Sequence, residues 1–388
     1  MLVSLSPLLL SAIFATLMWL GLFVLPWRPW STRETISTNR FEPKRVDVGS
    51  VTEITVLIPA RNEASCIQQT LTALTKQGPI ASVIVIDDQS EDETKAVAQT
   101  LIENAQLPQL TIIDGEQPPE GWSGKLWALH QGLTSVKTPY VMLLDADIEL
   151  AENMVATLQR KLVDNELDSV SVMASLYMGS WAEKLLLPPF IYFFKIIYPF
   201  HLANSPSSKM AAAAGGCVLM KTSRLREIGG FESLKTAIID DCTLAKRIKD
   251  SGGNIWVGLS HDVRAVRPYE TLANIWNMVA RTAFTQLHYS IVLLLLCTVL
   301  MVIGYLAPVS AILAGDTVTK IWGGIALGLL CASYYPTTKY YDLPSWWCLT
   351  LPLAAALFLA MTWTSAYRYL RGERSRWKNR SYARESTE

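Results

Sequence analysis

The sequence predicts an α/β protein: a mostly parallel sheet with flanking helices, carrying transmembrane helices at both ends. Three observations predict it. Short apolar runs that close on acidic residues alternate with helix-like segments, the pattern of right-handed βαβ units. Apolar residues concentrate at 2–27, 184–203 and 290–364, with ordinary soluble composition between them. The run Tyr140-Val141-Met142-Leu143-Leu144 leads straight into Asp145-Ala146-Asp147. An unbroken apolar run of this length reads as a strand buried on both faces. The C-terminal ends of such strands are where open α/β sheets place ligands.

Residues 2–27 are almost wholly apolar and long enough to span a bilayer. No basic residue precedes them and no small-residue cleavage site closes them, so an uncleaved anchor over residues 1–28 is expected rather than a signal peptide. Arg28, Arg33, Arg40, Lys44 and Arg45 come next, which by the positive-inside rule puts the adjoining soluble domain in the cytoplasm. That domain, over 50–285, opens with a strand at 53–58. A helix runs to about Gln77, ahead of Gly78-Pro79. A second strand, Val83-Ile84-Val85-Ile86, ends in Asp87-Asp88. Ser90 and Glu93 are spaced as a capping box for the next helix. Strands at 110–113, 140–144 and 171–177 come after it, with a polar loop at 114–125 and a helix from Leu126.

Residues 184–203 hold one charge, Lys195, among aromatics and prolines. Pro188, Pro189 and a central lysine suit an interfacial helix, with Lys195 snorkelling to the headgroups, better than a span, and a buried core helix fits the same pattern nearly as well. Gly215-Gly216 turns into a strand at 217–220. Ile238-Ile239-Asp240-Asp241 opens a helix at 242–249. Membrane segments are expected over 288–366. Ile291–Ala314 is long enough to cross, 321–335 is short and expected to be re-entrant or interfacial, and 351–364 makes a full span only with Trp346 and Trp347 included. The tail, 367–388, carries Arg368, Arg371, Arg374, Arg376, Lys378, Arg380 and Arg384 and is expected to be cytoplasmic.

The bulk numbers exclude some classes. With 34 basic and 34 acidic residues there is no global pull towards nucleic acid. The six cysteines form no Cys-x-x-Cys, so neither a zinc site nor a disulfide framework is expected. No Gly-x-Gly-x-x-Gly comes after the first strand and no P-loop occurs, which removes the usual dinucleotide and triphosphate readings.

The carboxylates carry the chemistry. Asp145 and Asp147 at a strand end repel each other unless a cation lies between them. An oxygen-only pair favours Mg²⁺ or Mn²⁺, which keeps sites free for a substrate's phosphates. Asp87 or Asp88 can accept a hydrogen bond from a base or ribose, and either also suits a helix cap. Gly121-Trp122-Ser123-Gly124-Lys125 offers a lysine to phosphate. His261 is a further candidate ligand for metal or phosphate.

Leu57-Ile58-Pro59-Ala60-Arg61-Asn62-Glu63, Val85-Ile86-Asp87-Asp88-Gln89-Ser90 and Leu143-Leu144-Asp145-Ala146-Asp147 together resemble the nucleotide-binding half of a family 2 glycosyltransferase. The resemblance implies a GT-A fold, with Asp88 on a uracil-type base. It implies that Asp147, helped by Asp145, holds Mg²⁺ or Mn²⁺ on the diphosphate. Pro59, Arg61 and Glu63 would line the nucleotide pocket, and Lys125 would touch phosphate or donor sugar. Gly229-Gly230-Phe231 followed by Asp240-Asp241 resembles the segment that supplies the general base, which the resemblance assigns to Asp241 with Asp240 beside it in the substrate site.

Met278-Val279-Ala280-Arg281-Thr282 stands where processive members carry Gln-x-x-Arg-Trp. Arg281 is kept as a diphosphate clamp, and the missing Gln and Trp favour transfer of a single sugar. Over nearly the full length the chain resembles the hopene-associated glycosyltransferase subgroup, whose tail also contains a Trp377-Lys378-Asn379-Arg380-like run. The implied function is inverting transfer from a nucleoside-diphosphate sugar to a lipid hydroxyl at a bacterial inner membrane, with the catalytic domain facing the cytoplasm. Two other functions compete with it: transfer to a polyprenyl phosphate, which needs no base, and a non-catalytic nucleotide-sugar-binding scaffold.

Overall fold

A computed structural model of the 388-residue chain describes residues 6–40, 53–78, 80–377 and 380–383. Lys44, Arg45 and Arg384, named among the topology-setting basic residues, lie outside the described residues, as does Lys378.

Helix α1 (Pro7–Val24) comes first, capped by the Ser6 hydroxyl, which accepts from the Leu9 amide. The first half of the sheet domain runs β1 (Ile54–Ala60), α2 (Ile67–Leu74), β2 (Ser82–Asp87), α3 (Thr94–Glu103), β3 (Leu110–Asp114), α4 (Gly124–Thr134) and β4 (Tyr140–Leu144). The second half runs β5 (Ile148–Leu150), α5 (Met154–Asp164), β6 (Ser169–Ser175), α6 (Trp181–Ile197), α7 (Phe200–Ala203), β7 (Cys217–Lys221), α8 (Thr222–Glu227), α9 (Asp240–Asp250), β8 (Ile255–Ala265) and α10 (Leu272–Gln286).

The eight strands form one sheet in the order β3-β2-β1-β4-β7-β6-β8-β5. Strands β3, β2, β1 and β4 are mutually parallel, β7 runs against both its neighbours, β6 and β8 are parallel, and β5 runs against β8. All seven β1 residues are buried, as a central strand covered on both faces requires. On one face Val56 and Ile58 pack with Ile67 and Leu71 of α2, and on the other Leu57 and Ile86 pack with Leu126 and Leu129 of α4. The chain leaves β1 for β2 and β3 on one side and returns to β4 on the other. The strand order therefore reverses between β1 and β4, and the crevice at their C-terminal ends is the topological switch point. The register brings Ala60 beside Asp87, and Leu144 beside Cys217, to that same edge.

The rest of the chain is α11 (Ile291–Met301), a π turn at Val302–Leu306, α12 (Ala307–Ala314), α13 (Thr317–Tyr340), α14 (Leu351–Leu370) and a hairpin of β9 (Glu373–Trp377) with β10 (Arg380–Ala383). Among the described residues three helical segments are long and apolar enough to cross a membrane: Pro7–Val24, Ile291–Ala314 and Ser345–Leu370. Helix α1 is built into the C-terminal bundle. Trp19 donates its indole N–H to the Gly304 carbonyl at 2.9 Å, within the π turn, and Thr16 donates to the Trp322 carbonyl at 3.3 Å. The end of the Met18 side chain lies over Gly304, where a Cβ would push it aside. The hairpin lies against α10 and α14.

Three expectations need correction. The segment 321–335 lies within a longer helix: α13 runs for 24 residues and packs against α1, α12 and α6. No Ser90–Glu93 capping box forms. The helix starts at Thr94, Asp92 accepts from the Thr94 and Ala64 amides, and the Ser90 hydroxyl accepts from Asn62 N–H. Lys195 does not snorkel. It is 1% exposed, because α6 is wedged between the sheet domain and helices α13 and α14. A Ser180–Glu183 capping box starts α6, Tyr192 and Ser333 share a hydrogen bond of 2.7 Å, and Trp347 donates to the Lys184 carbonyl at 3.0 Å.

Candidate active site

The site lies at the switch point. A pocket there is lined by Pro59 of β1, Lys125 of α4, Asp145 after β4, Gly215 before β7, and Asp240 and Asp241 at the start of α9. Five of the residues singled out in the sequence thus meet in one cavity, supplied by four separate elements.

Each is placed by local chemistry. Gly121 adopts a left-handed φ of +81°, and Ser123 then caps α4 through the Leu126 amide, which puts Lys125 in the first helical turn. Trp122 packs edge-on to Trp127, with centroids 5.1 Å apart, and fixes the loop. The Lys125 ammonium lies 2.6 Å from Asp145. Burial opposes its charge, but Asp145, Asp240 and Asp241 around it hold the ammonium above its ordinary value.

Asp241 accepts from the Gly215 amide at 2.9 Å and from the following Cys242 amide at 2.7 Å. It therefore ties the first turn of α9 to the Gly215 backbone while lining the pocket. A Cβ on Gly215 would sit 3.4 Å from Asp241 and 3.6 Å from the Lys125 ammonium, so both groups converge on that bare backbone. Burial and the neighbouring Asp240 push the Asp241 carboxyl up to about 6, against the pull of its amide donors and Lys125. A carboxylate poised there is suited to take a proton near neutral pH.

The second acid of the pair after β4, Asp147, meets a partner that the sequence reading missed. Arg267, just beyond β8, donates Nε–H to Asp147 at 2.9 Å and pairs with Glu63 through its other end. The Val266 amide also donates to the Asp147 carbonyl at 2.9 Å, which holds the two segments together. The only sequence signal was a basic residue in Val266-Arg267-Pro268-Tyr269, a loop 120 residues from its partner. The Glu183 carboxylate anchors this loop by accepting the Tyr269 amide at 2.7 Å. Burial, then Asp147, raises the Tyr269 phenol, while Arg281 and Arg267 oppose the shift, so Arg281 reaches the same electrostatic neighbourhood from α10.

Asp88 is 1% exposed at the end of β2. Arg61 braces it from behind, donating to the Asp88 carbonyl at 2.6 Å and the Gln89 carbonyl at 3.1 Å. Gly115 is needed close by, since a Cβ there would come within 2.8 Å of the Asp87 carbonyl oxygen. His261 is not brought to the site. Its ring stacks on Tyr340 with centroids 4.1 Å apart, so the ligand role considered for it is withdrawn.

A divalent cation is the group the acidic pair implies. Among the described residues no three His, Cys, Asp or Glu side chains cluster to hold one. Asp145 and Asp147 supply two carboxylates, and each already has a cationic side chain against it. That donor set fits a hard ion whose remaining positions are filled by diphosphate oxygens and water, and does not fit an all-protein cage.

Residues 55–229 match the family described as Glycosyl transferase family 2. The chain is similar to a 4,4'-diaponeurosporenoate glycosyltransferase from Staphylococcus aureus (strain USA300), with 36% identity over 107 residues, 27% of each chain. The chain thus spans about a quarter of the length of that relative. It is also similar to the solved mannosyltransferase PcManGT from Pyrobaculum calidifontis, in complex with GDP-Man and Mn²⁺. That likeness has a TM-score of 0.57 and 21% identity and covers 94% of this chain and 99% of the other. It establishes the GT-A fold expected from the sequence.

Proposed function

We propose that this protein is a membrane-bound, metal-dependent inverting glycosyltransferase that moves one sugar from a nucleoside-diphosphate sugar to the hydroxyl of a lipid. The observation that carries the proposal is the convergence of Asp241, Lys125 and Asp145 on one pocket at the switch point. A base, a phosphate-seeking cation and a metal-seeking carboxylate are the minimum set for this chemistry.

In this reading Asp88 receives the base of the donor, a uridine or guanosine nucleotide, with Arg61 fixing the backbone behind it. The guanosine option comes from the GDP-Man complex of PcManGT. Pro59 and Glu63 flank the nucleotide, and Asp240 helps frame the sugar. Asp147 and Asp145 would hold Mg²⁺ or Mn²⁺. When bound, the metal neutralises charge on the departing diphosphate as a Lewis acid. Asp241 takes the proton from the acceptor hydroxyl as the oxygen attacks the anomeric carbon, a role worth about 10²–10⁴-fold. Lys125 and Arg281 steady the diphosphate. No side chain needs to protonate the leaving group.

The three apolar helices and the carotenoid-type acceptor in the relative's name support a lipid acceptor. A hopanoid-related triterpenoid alcohol is the first candidate, on the motif resemblance of the sequence. The basic residues Arg28 and Arg33 after α1 support a domain facing the cytoplasm of a bacterial inner membrane.

The test is sugar transfer in membranes containing the protein, offered labelled UDP- and GDP-sugars with and without EDTA. Label entering the lipid fraction, lost with EDTA and in Asp241→Asn, is expected. Transfer that survives Asp241→Asn would instead identify an acceptor that is already ionised, such as a polyprenyl phosphate. Binding without transfer for any donor would point to the scaffold.

A further inference from the structure

The two carboxylates assigned to the metal are each held by a cation of the chain itself. Lys125 sits 2.6 Å from Asp145, and Arg267 donates to Asp147 at 2.9 Å. Arg267 is fixed at its far end by Glu63, whose side chain is only 9% exposed. The guanidinium takes Oδ2 of Asp147 and sets a positive charge beside it, so a divalent ion seeking that oxygen must displace it. If Arg267 is released without a new partner, Glu63 and the guanidinium both lose their opposite charge, which is costly at this depth. A diphosphate arriving with the metal meets the guanidinium's share of that cost, because a pair of its anionic oxygens can accept two N–H bonds while Arg267 keeps Glu63.

We propose that Arg267 is a stand-in cation that couples metal binding to donor binding. In the donor-free protein it occupies Asp147. When metal and diphosphate arrive together it transfers from that carboxylate to the diphosphate, and Lys125 makes the same exchange from Asp145. Arg267 is thus a positioning residue on the metal side of the site: it keeps the bare metal out and then helps hold the donor. The proposal rests on the glycosyltransferase reading.

Linkage fixes the required behaviour. If nucleotide tightens metal binding by some factor, metal must tighten nucleotide binding by the same factor. The experiment measures Mn²⁺ binding to the full-length protein in detergent by electron paramagnetic resonance of the free ion, with no nucleotide, with UDP and with GDP. Wild type is expected to bind Mn²⁺ weakly alone and at least about tenfold more tightly with the matching nucleotide, within the usual range of coupling between two sites. Arg267→Gln is expected to bind Mn²⁺ more tightly than wild type without nucleotide, and to lose most of the gain that nucleotide brings. Arg267→Lys, which keeps the charge, is expected to stay near wild type. Glu63→Gln loosens Arg267 without touching Asp147 and is expected to shift nucleotide-free binding in the same direction as Arg267→Gln. It serves as the second variant if Arg267→Gln folds poorly.

Equal nucleotide-free affinities for wild type, Arg267→Gln and Glu63→Gln would overturn the proposal while leaving the metal-dependent transferase intact. Wild-type Mn²⁺ binding that is indifferent to nucleotide would also overturn it. Failure of wild type to bind Mn²⁺ under any condition would remove both the proposal and the metal reading. Coupling with GDP and not UDP would support the proposal and select guanosine as the donor nucleoside.

Discussion

The sheet rim and the base of the membrane bundle treat charge in opposite ways. At the rim, Asp145 faces Lys125, Asp147 faces Arg267, and Asp241 receives two backbone amides. At the base of the bundle, Lys195 is buried more deeply than these partly exposed rim charges, and its ammonium has no hydrogen-bond partner among the described residues. Burial pushes it down to about 7, with Glu34 opposing the shift. Compensated charge at the rim is held ready for exchange with a ligand. The lone charge at the junction is a stability cost.

The largest test of this contrast is Asp241→Asn. Transfer is expected to fall by about 10²–10⁴-fold, measured as label in lipid. Stability should not fall with it. The folded carboxyl titrates near 6 rather than 3.8, so its charge costs stability that accumulates as pH rises between those values. Thermal unfolding at pH 8 is expected to place the variant at or above wild type. A large drop in its melting temperature would show that the carboxylate is structural.

Next is Lys125→Met, which removes a charged contact to phosphate. The donor KM is expected to rise about 10–100-fold, the size of a charge-assisted hydrogen bond, with Asp241 left in place. A change confined to kcat would assign the lysine to the sugar instead. On the junction side, Lys195→Met is expected to stabilise the protein by about 1–3 kcal/mol. The sign comes from the lowered value. The folded state binds fewer protons than the unfolded one between about 7 and 10.5, so wild-type stability rises with pH across that window. The advantage of the methionine variant should therefore be greatest below pH 7 and vanish above 10.5, as unfolding curves in detergent would reveal. The smallest effect is in the pH profile. The rising limb of kcat/KM, set near 6 by Asp241, is expected to move to lower pH in Asp240→Asn, because one neighbouring negative charge is gone.

The same contrast separates the features a sequence discloses from those it hides. Strands β1, β2 and β4 were legible because each is a local apolar run, the last two closing on an acid, and the pocket positions of Asp145, Lys125 and Asp241 were legible because motifs mark them. Arg267 was not, since its value depends on β8 pairing with β5, the strand that directly follows Asp147, from 120 residues away. Strand β8 itself is long and buried along its first half, but no acidic motif marks its end at Ala265. Lys195 was misplaced for a related reason. Its aromatic neighbours are visible in the sequence, whereas α13 and α14, which cover them, lie more than a hundred residues downstream. A local pattern names the face of a helix and says nothing about the surface that lies against it.

The indole of Trp19 bears on how this protein can be handled. By donating to the carbonyl of Gly304 it makes the first helix a wall of the bundle rather than a leash for the catalytic domain. Trimming the chain to a soluble enzyme by deleting residues 1–24 would strand that carbonyl and lay open Tyr305, Leu330 and Tyr334, which pack in the same cluster. A water-soluble version has to be made by recolouring the outward face, at Leu10, Phe14, Leu17 and Leu20, and leaving the inward face as it is.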